Sequence, residues 1–306
     1  MFDIAVILIN YNTSDLSIEC IKSIYEKTSS ELNFQVIITD NCSENKDFEN
    51  LKSFCDNSNL PNLQLLKNSL NAGFGGGNMY GFKHSNAKYV SFLNNDTLFL
   101  NDCLAILKNQ LDNHPSIGIA GAQAYKEDKK FLNSLDHFAS PAREILGRGF
   151  LELSNPKKYP KRKKKYYSPI QVNFIPGSFM FVRGTDFVKV GGFDEQIFLY
   201  YEETDLCLRL AKINKFAYLI PQAEFIHFHG ASTEKSLAIK KELKISLLYI
   251  MKKHYGNYGF QSVRWFLLLK YGASSLIKAK NRPLLSLIWR GAPMSESLQY
   301  KQKNHV

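Results

Sequence analysis

Hydrophobic positions alternate between two rhythms over the first 125 residues. Apolar or β-branched runs at 4–9, 34–39, 63–66, 89–93 and 117–122 read as buried strands. Between them lies helical spacing. It runs from Thr13 or Ser14 to about Thr28, with Leu16, Cys20, Ile21, Ile24 and Tyr25 on one face. It recurs around 47–55, from a glycine run to about Ser85, and near 102–113. Strands alternating with helices imply crossovers and an α/β fold with a mainly parallel sheet. Residues 126–170 break the rhythm: they are polar, basic and Pro-containing, and read as an insert with a mobile loop. Order returns at 172–182. A helix is predicted to start near Glu202, followed by short strands at 216–220 and 224–228. Ser232 or Thr233 would cap the next helix, and from Lys235 the pattern is helical, with Ile239, Leu243, Leu247 and Met251 on one face. The chain therefore divides into a body, 1–234, and a tail, 235–306.

Charge sharpens that division. The net charge is +11. From Lys235 onward there are 14 lysines and arginines against two acids, so the body balances at −1 and is acidic outside the seven positive charges within 157–165. Such asymmetry points to an anionic partner surface. The five cysteines are scattered, without C-x-x-C spacing, which predicts reduced thiols and a cytoplasmic protein. The N-terminus shows no signal-peptide pattern, and no uncharged apolar run approaches the roughly 20 residues of a spanning helix.

Candidate chemistry sits at the carboxyl ends of the strands, where open α/β sheets bind ligands. Asn94-Asn95-Asp96-Thr97 ends one strand, and Asp96 is placed to hold a hard divalent cation against phosphate oxygens; otherwise it caps the next helix. The run Asn71-Ala-Gly-Phe-Gly-Gly-Gly-Asn78 fits neither a Rossmann fingerprint nor a P-loop. It permits close approach to a ligand, or serves as a tight strand-to-helix turn. Glu202, Glu203 and Asp205 are candidate general bases; equally, acids suit a helix start, and Asp205 can pair with Arg209. His227 and His229 share a strand face and could complete a metal site with an aspartate.

In this order the motifs resemble an inverting family-2 glycosyltransferase of the GT-A fold, in its rhamnosyltransferase-like branch. The resemblance rests on Val6-Ile-Leu-Ile-Asn-Tyr-Asn12, Ile37-Ile-Thr-Asp-Asn-Cys-Ser43, the glycine run, and Phe92-Leu-Asn-Asn-Asp-Thr97. Further along are Gly191-Gly-Phe-Asp-Glu195, Tyr200-Tyr-Glu-Glu-Thr-Asp-Leu-Cys-Leu-Arg209 and His227-Phe-His-Gly-Ala-Ser232. It implies donor binding by Asn10, Tyr11, Asp40, Asn41, Asn71, Gly73, Gly77, Asn78 and Asn95. It implies a metal, Mg²⁺ or Mn²⁺, at Asp96 and His227, with Asn94 where an acid is usual. Glu203 becomes the base, with Glu202 and Asp205 beside it. The expected partners are a dTDP- or UDP-linked sugar and a glycan or lipid-linked acceptor in cell-surface polysaccharide synthesis. Peripheral contact with the inner face of the plasma membrane would come through the tail, whose apolar patches could alternatively pack on the body or a second subunit. No nucleic-acid module is recognisable. The rival reading is a non-catalytic sugar-nucleotide or glycan-binding module on the same scaffold.

Overall fold

The computed structural model describes residues 1–228 and 236–302. Continuous apolar runs become the central strands because crossover helices cover both faces of the sheet. Strands β1 (Phe2–Asn10), β2 (Phe34–Asp40), β3 (Leu63–Lys67) and β4 (Ala87–Asn94) pair in parallel in the order β3-β2-β1-β4. Four helices accompany this half: α1 (Ser14–Lys27), α2 (Asn45–Asn57), α3 (Gly73–Lys83) and α4 (Cys103–Asn113). The sheet continues through β5 (Thr97–Phe99), β6 (Ile117–Tyr125), β7 (Ile170–Val172), β8 (Phe179–Arg183) and β9 (Phe216–His227). Its full order is β3-β2-β1-β4-β8-β6-β9-β5, with β7 also on β9. β8 runs antiparallel to β4 and β6, so the second half of the sheet is mixed. Alternation along β1 sorts its side chains: Ile4, Val6 and Leu8 join one core with Ile21 and Leu104, while Ile7 joins another with Phe92.

Three details differ from the sequence expectation. The two short strands at 216–220 and 224–228 are one strand, β9, passing through Pro221. Ala122 faces Ile220 and Gln123 faces Glu224, so residues 221–223 bulge and the missing Pro221 N–H interrupts no regular ladder. Thr97, the last residue of the polar strand end, starts a further short strand, Thr97–Phe99, and pairs with His227. The insert is built on α5 (Pro141–Leu146) and α6 (Arg148–Ser154), with Asp136 holding Arg148 at 2.8 Å and Glu152 holding Arg162 at 2.9 Å.

Two further helices, α7 (Gly184–Lys189) and α8 (Glu202–Lys212), complete the body. The tail forms α9 (Leu237–Ile277), broken at Gly256 (φ 65°, ψ −163°), and α10 (Arg282–Trp289). The α9 cap is Ser236, whose hydroxyl accepts the Ile239 N–H; Ser232 and Thr233 lie outside the described residues. Lys244 sits 5.7 Å over the Tyr271 ring, so the two halves of α9 fold back as a hairpin about Gly256. Their shared core, with Ile245, Leu248, Val263 and Leu267, also takes in Ala139 and Ile197 of the body. The packing role weighed for the tail is thus realised in its first half. No described helix is long and apolar enough to cross a membrane.

Candidate active site

The strand ends are joined by a chain of buried polar side chains. Asn10 Nδ2 donates to Asp40 Oδ2 (2.9 Å) and Asp47 Oδ2 (2.7 Å). Ser17 donates to Asn10 Oδ1 (2.9 Å) and accepts from Asn95 Nδ2 (2.7 Å). The Ser43 N–H completes Asp40 at Oδ1, 3.0 Å. Asn10, Asp40 and Asn95, expected to touch the donor, are therefore engaged with one another and with α1. They position the strand ends from behind. Ser17, Ser43 and Asp47 were missed in the sequence; the signal available was a set of small polar residues within α1 and after β2. Tyr11, directly after β1, is 42% exposed and open to a ligand.

The glycine run is the start of α3 rather than a loop. Asn41 braces it, donating to Asn71 Oδ1 (2.9 Å) and the Gly73 carbonyl (3.1 Å) and accepting from the Ala72 N–H (3.1 Å). Two of the first N–H groups are already used: Gly73 donates to Asn71 Oδ1 and Phe74 to the Phe198 carbonyl, both at 2.9 Å. A Cβ on Gly73 (φ +72°) would lie 2.1 Å from the Phe198 carbonyl oxygen, and one on Gly77 3.0 Å from Ile9 Cδ1. These glycines, expected at the donor, let α3 lie against the sheet and the Phe198 backbone. Asn78 is buried and its amide donates back to the Phe74 carbonyl (3.1 Å).

Asp96 sits in the tight turn between β4 and β5, and the Thr97–His227 pairing carries it to the end of β9. Its Oδ1 lies 3.3 Å from His227 Nε2. That oxygen is buried and, among the described residues, accepts no hydrogen bond. The two atoms are spaced as adjacent ligands of one small divalent ion: bonds of about 2.1 Å at a right angle span roughly 3 Å. The donor set fits a hard or borderline ion, with no third His, Cys, Asp or Glu converging among the described residues. His229 lies outside those residues.

The acids at the start of α8 have separate fates. Tyr200 and Tyr201 both take positive φ (73° and 74°), rare for aromatic residues, and turn the chain into the helix. Glu203 accepts the Gly177 N–H at 2.9 Å. Burial pushes its pKa up, against that N–H. Glu202 is buried, with an Oε1 that has no hydrogen-bond partner; burial first, then the charge of Glu203, pushes it well above the usual range. Of the pair, Glu203 is the one that accepts a hydrogen bond from the facing loop, which favours its charged form. Asp205 belongs to the junction with α9. It pairs with Arg209 (2.6 Å), as the spacing allowed, and also with Lys253 (2.6 Å) and His254 (2.7 Å). Burial alone would raise its pKa, but the His254 hydrogen bond and the charges of Arg209 and Lys253 hold it well below the carboxylate range. Both Asp205 oxygens are taken by these partners, the pairing use open to it from the sequence.

A loop that the sequence did not single out brings the parts together. Gly177 faces Glu203, and a Cβ on it would meet Glu203 Oε1 at 2.8 Å and Phe74 of α3 at 3.1 Å. The next residue, Ser178, accepts the Asn94 N–H at 3.1 Å. Pro176-Gly177-Ser178 thus ties the Asp96 turn, the start of α3 and Glu203. The signal available was the Pro-Gly dipeptide before β8. Gly177→Ala is expected to displace the Glu203 carboxylate and lower kcat by about tenfold to 10²-fold. Donor KM and thermal stability should stay near wild type. Unchanged kcat in steady-state assays of a folded Gly177→Ala protein would remove the clamp from the argument.

The family model described as Glycosyl transferase family 2 matches residues 5–187. The rhamnosyltransferase WbbL of Escherichia coli (strain K12) is 26% identical over 266 residues, covering 81% of this chain and 92% of that protein. The N-acetylglucosaminyl-diphospho-decaprenol L-rhamnosyltransferase of Mycobacterium tuberculosis is 34% identical over 87 residues, 28% of each chain. Among solved structures, the mannosyltransferase PcManGT from Pyrobaculum calidifontis, in complex with GDP-Man and Mn²⁺, has a TM-score of 0.58. It is 13% identical, covering 97% of this chain and 89% of that one. GalNAc-T7 with UDP, GalNAc and Mn²⁺ has a TM-score of 0.61 at 12% identity, covering 85% of this chain and 50% of that one. At such identities the likeness shows the architecture.

Proposed function

The chain belongs to glycosyl transferase family 2, with the GT-A fold, and on that premise we propose that it is an inverting, metal-dependent glycosyltransferase. Its reaction moves a sugar, rhamnose foremost, from a nucleoside diphosphate to a hydroxyl of a glycan or lipid-linked acceptor in cell-surface polysaccharide synthesis. The nucleoside is dTDP- or UDP-type. The sugar assignment is supported by the names of the sequence relatives, and the metal by the neighbours bound to Mn²⁺.

The observation that carries the reading is the Gly177–Ser178 clamp between Glu203 and the Asp96 turn. An acceptor hydroxyl is a weak nucleophile, and a carboxylate within hydrogen-bond reach takes its proton as the new bond forms. Glu203, whose carboxylate faces the clamp and accepts the Gly177 N–H, fills that role; Glu202 lies buried beside it. Attack opposite the leaving group inverts the anomeric carbon without a covalent sugar–enzyme intermediate. Asp96 and His227 would hold the divalent cation, which when bound offsets the charge on the departing diphosphate. Tyr11, exposed beyond β1, offers a face for the nucleobase. Asn10, Asp40, Asn41 and Asn95 fix the walls. The exposed Trp265, Leu269 and Trp289 of the tail, among basic residues, are proposed to rest on the inner membrane face.

A panel of nucleotide sugars with Mg²⁺ or Mn²⁺ tests the reading. The true donor should stabilise the protein by about 2.7 kcal/mol at a hundredfold excess over Kd and be consumed when an acceptor is added. Binding with neither transfer nor hydrolysis would identify a binding module. No stabilisation by any dTDP- or UDP-sugar would defeat the donor assignment.

A further inference from the structure

We propose that α5, α6 and the lysine-rich loop after them form a second bilayer-contacting element beside the α9 hairpin, so that an anionic membrane is gripped by two segments far apart in sequence. The two short helices expose Ile145, Leu146, Phe150 and Leu153, the last at 82%. Their opposite sides are fixed. Arg143 is buried and donates to the His137 carbonyl (2.9 Å), Arg148 is held by Asp136, and Leu151 is buried. The apolar side chains are therefore presented to solvent by an anchored frame.

The charge beside them is positive and, apart from Arg162, outside the ion pairs of the described residues. Of the seven basic residues in 157–165, Arg162 is spent on Glu152 and Asp136. The six lysines form no salt bridge among the described residues. Lys163, Lys164 and Lys165 are all exposed. Aliphatic and aromatic tips next to exposed lysines, on helices too short to span, match a surface lying in the headgroup region of an anionic bilayer.

Position joins this element to the tail and to the chemistry. α5 packs on α9. Lys244 of α9, its amine pushed down chiefly by burial, senses the charges of Glu144 on α5 and Lys270 on the returning half of α9. One and two residues past Glu144 lie exposed Ile145 and Leu146; one residue before Lys270 lies exposed Leu269. Leu269 continues a stripe from Trp265 at helical spacing, beside an apolar groove of about 460 Å³ lined by Leu285 and Trp289. At its other end α5 is rooted on the catalytic helix: Arg143 lies 5.7 Å over the Tyr201 ring, and the Ala139 N–H donates to Thr204 Oγ1 at 3.4 Å. A membrane held by α5–α6 would bring a lipid-linked hydroxyl toward Glu203. That last consequence rests on the transfer reading; the membrane contact does not.

Co-sedimentation of the full chain with phosphatidylglycerol-containing and pure phosphatidylcholine vesicles tests the proposal. Phe150→Ser/Leu153→Ser and Lys163→Gln/Lys164→Gln/Lys165→Gln should each weaken binding to the anionic vesicles, the latter by about fivefold per lysine removed at low salt. Transfer to a water-soluble acceptor should persist, so a failure of the enzymatic reading shows separately, as absent transfer in wild type. Wild-type binding by both insert variants, with loss only in Trp265→Ser/Leu269→Ser, would overturn the insert and leave the tail. No wild-type binding would overturn both. As a second readout, Leu153→Cys in a Cys55→Ser background is labelled with an environment-sensitive dye; the other four cysteines are buried. Its emission should shift to the blue on anionic vesicles, and an unshifted spectrum overturns the contact at α6.

Discussion

Glu203→Gln lowers kcat by about 10²-fold or more and leaves donor affinity close to wild type. The amide keeps the shape of the side chain but cannot take a proton, and the Gly177 N–H can still be satisfied by its oxygen. The wild-type pH profile carries an independent signature. A base must be ionised to act, and burial raises the Glu203 pKa, so kcat/KM rises with pH along a limb lying above the ordinary glutamate value. That limb disappears in Glu203→Gln. Glu202→Gln is milder and leaves the limb in place, because Glu203, not Glu202, is held by the Gly177 clamp facing the Asp96 turn. A larger loss in Glu202→Gln, together with loss of the limb, would move the base one residue back.

The parallel half of the fold was legible because each strand buried on both faces is a run of consecutive apolar residues, and each is followed by a helix with its own stripe. The Asp96 strand end was legible for a related reason: the apolar run 89–93 stops abruptly in Asn94-Asn95-Asp96. What the sequence concealed depends on distance across the fold. Asn10, Ser17, Asp40 and Asn95 each read as strand-end or helix-start polarity, and only tertiary packing makes them one hydrogen-bonded chain. The glycines of α3 signalled close approach correctly, but the approaching group is the Ile9 side chain and the Phe198 backbone. Asp205 shared every local feature of its neighbours Glu202 and Glu203. Two residues beyond Glu203, it lies on the opposite side of α8, against Lys253 and His254, residues of a tail whose contacts no periodicity discloses. Pro221 argued for two strands, whereas a bulge lets one strand pass.

Asp96→Asn should abolish the dependence of donor binding on the cation while leaving the fold intact. The argument starts from the number of protein ligands. Asp96 Oδ1 and His227 Nε2 are spaced to share one ion, and no third His, Cys, Asp or Glu joins them among the described residues. A small hard cation held by one carboxylate and one imidazole has most of its shell left for water and phosphate oxygens. Metal alone should therefore bind weakly, and donor and metal should strengthen each other. Linkage makes the effect reciprocal: whatever factor the cation adds to donor affinity, the donor adds to cation affinity. In wild type, Mn²⁺ or donor alone should shift Tm little, and the two together by more than the sum. Removing the single acid of the Asn94-Asn95-Asp96-Thr97 turn takes away the carboxylate facing His227, so in Asp96→Asn the shift should become additive and turnover should fall with it. The variant keeps the side-chain volume, and the Asp96 carbonyl that accepts the Phe228 N–H at 3.0 Å is untouched, so its Tm without ligands should match wild type. Synergy between Mn²⁺ and donor surviving in Asp96→Asn would place the cation elsewhere in the cleft.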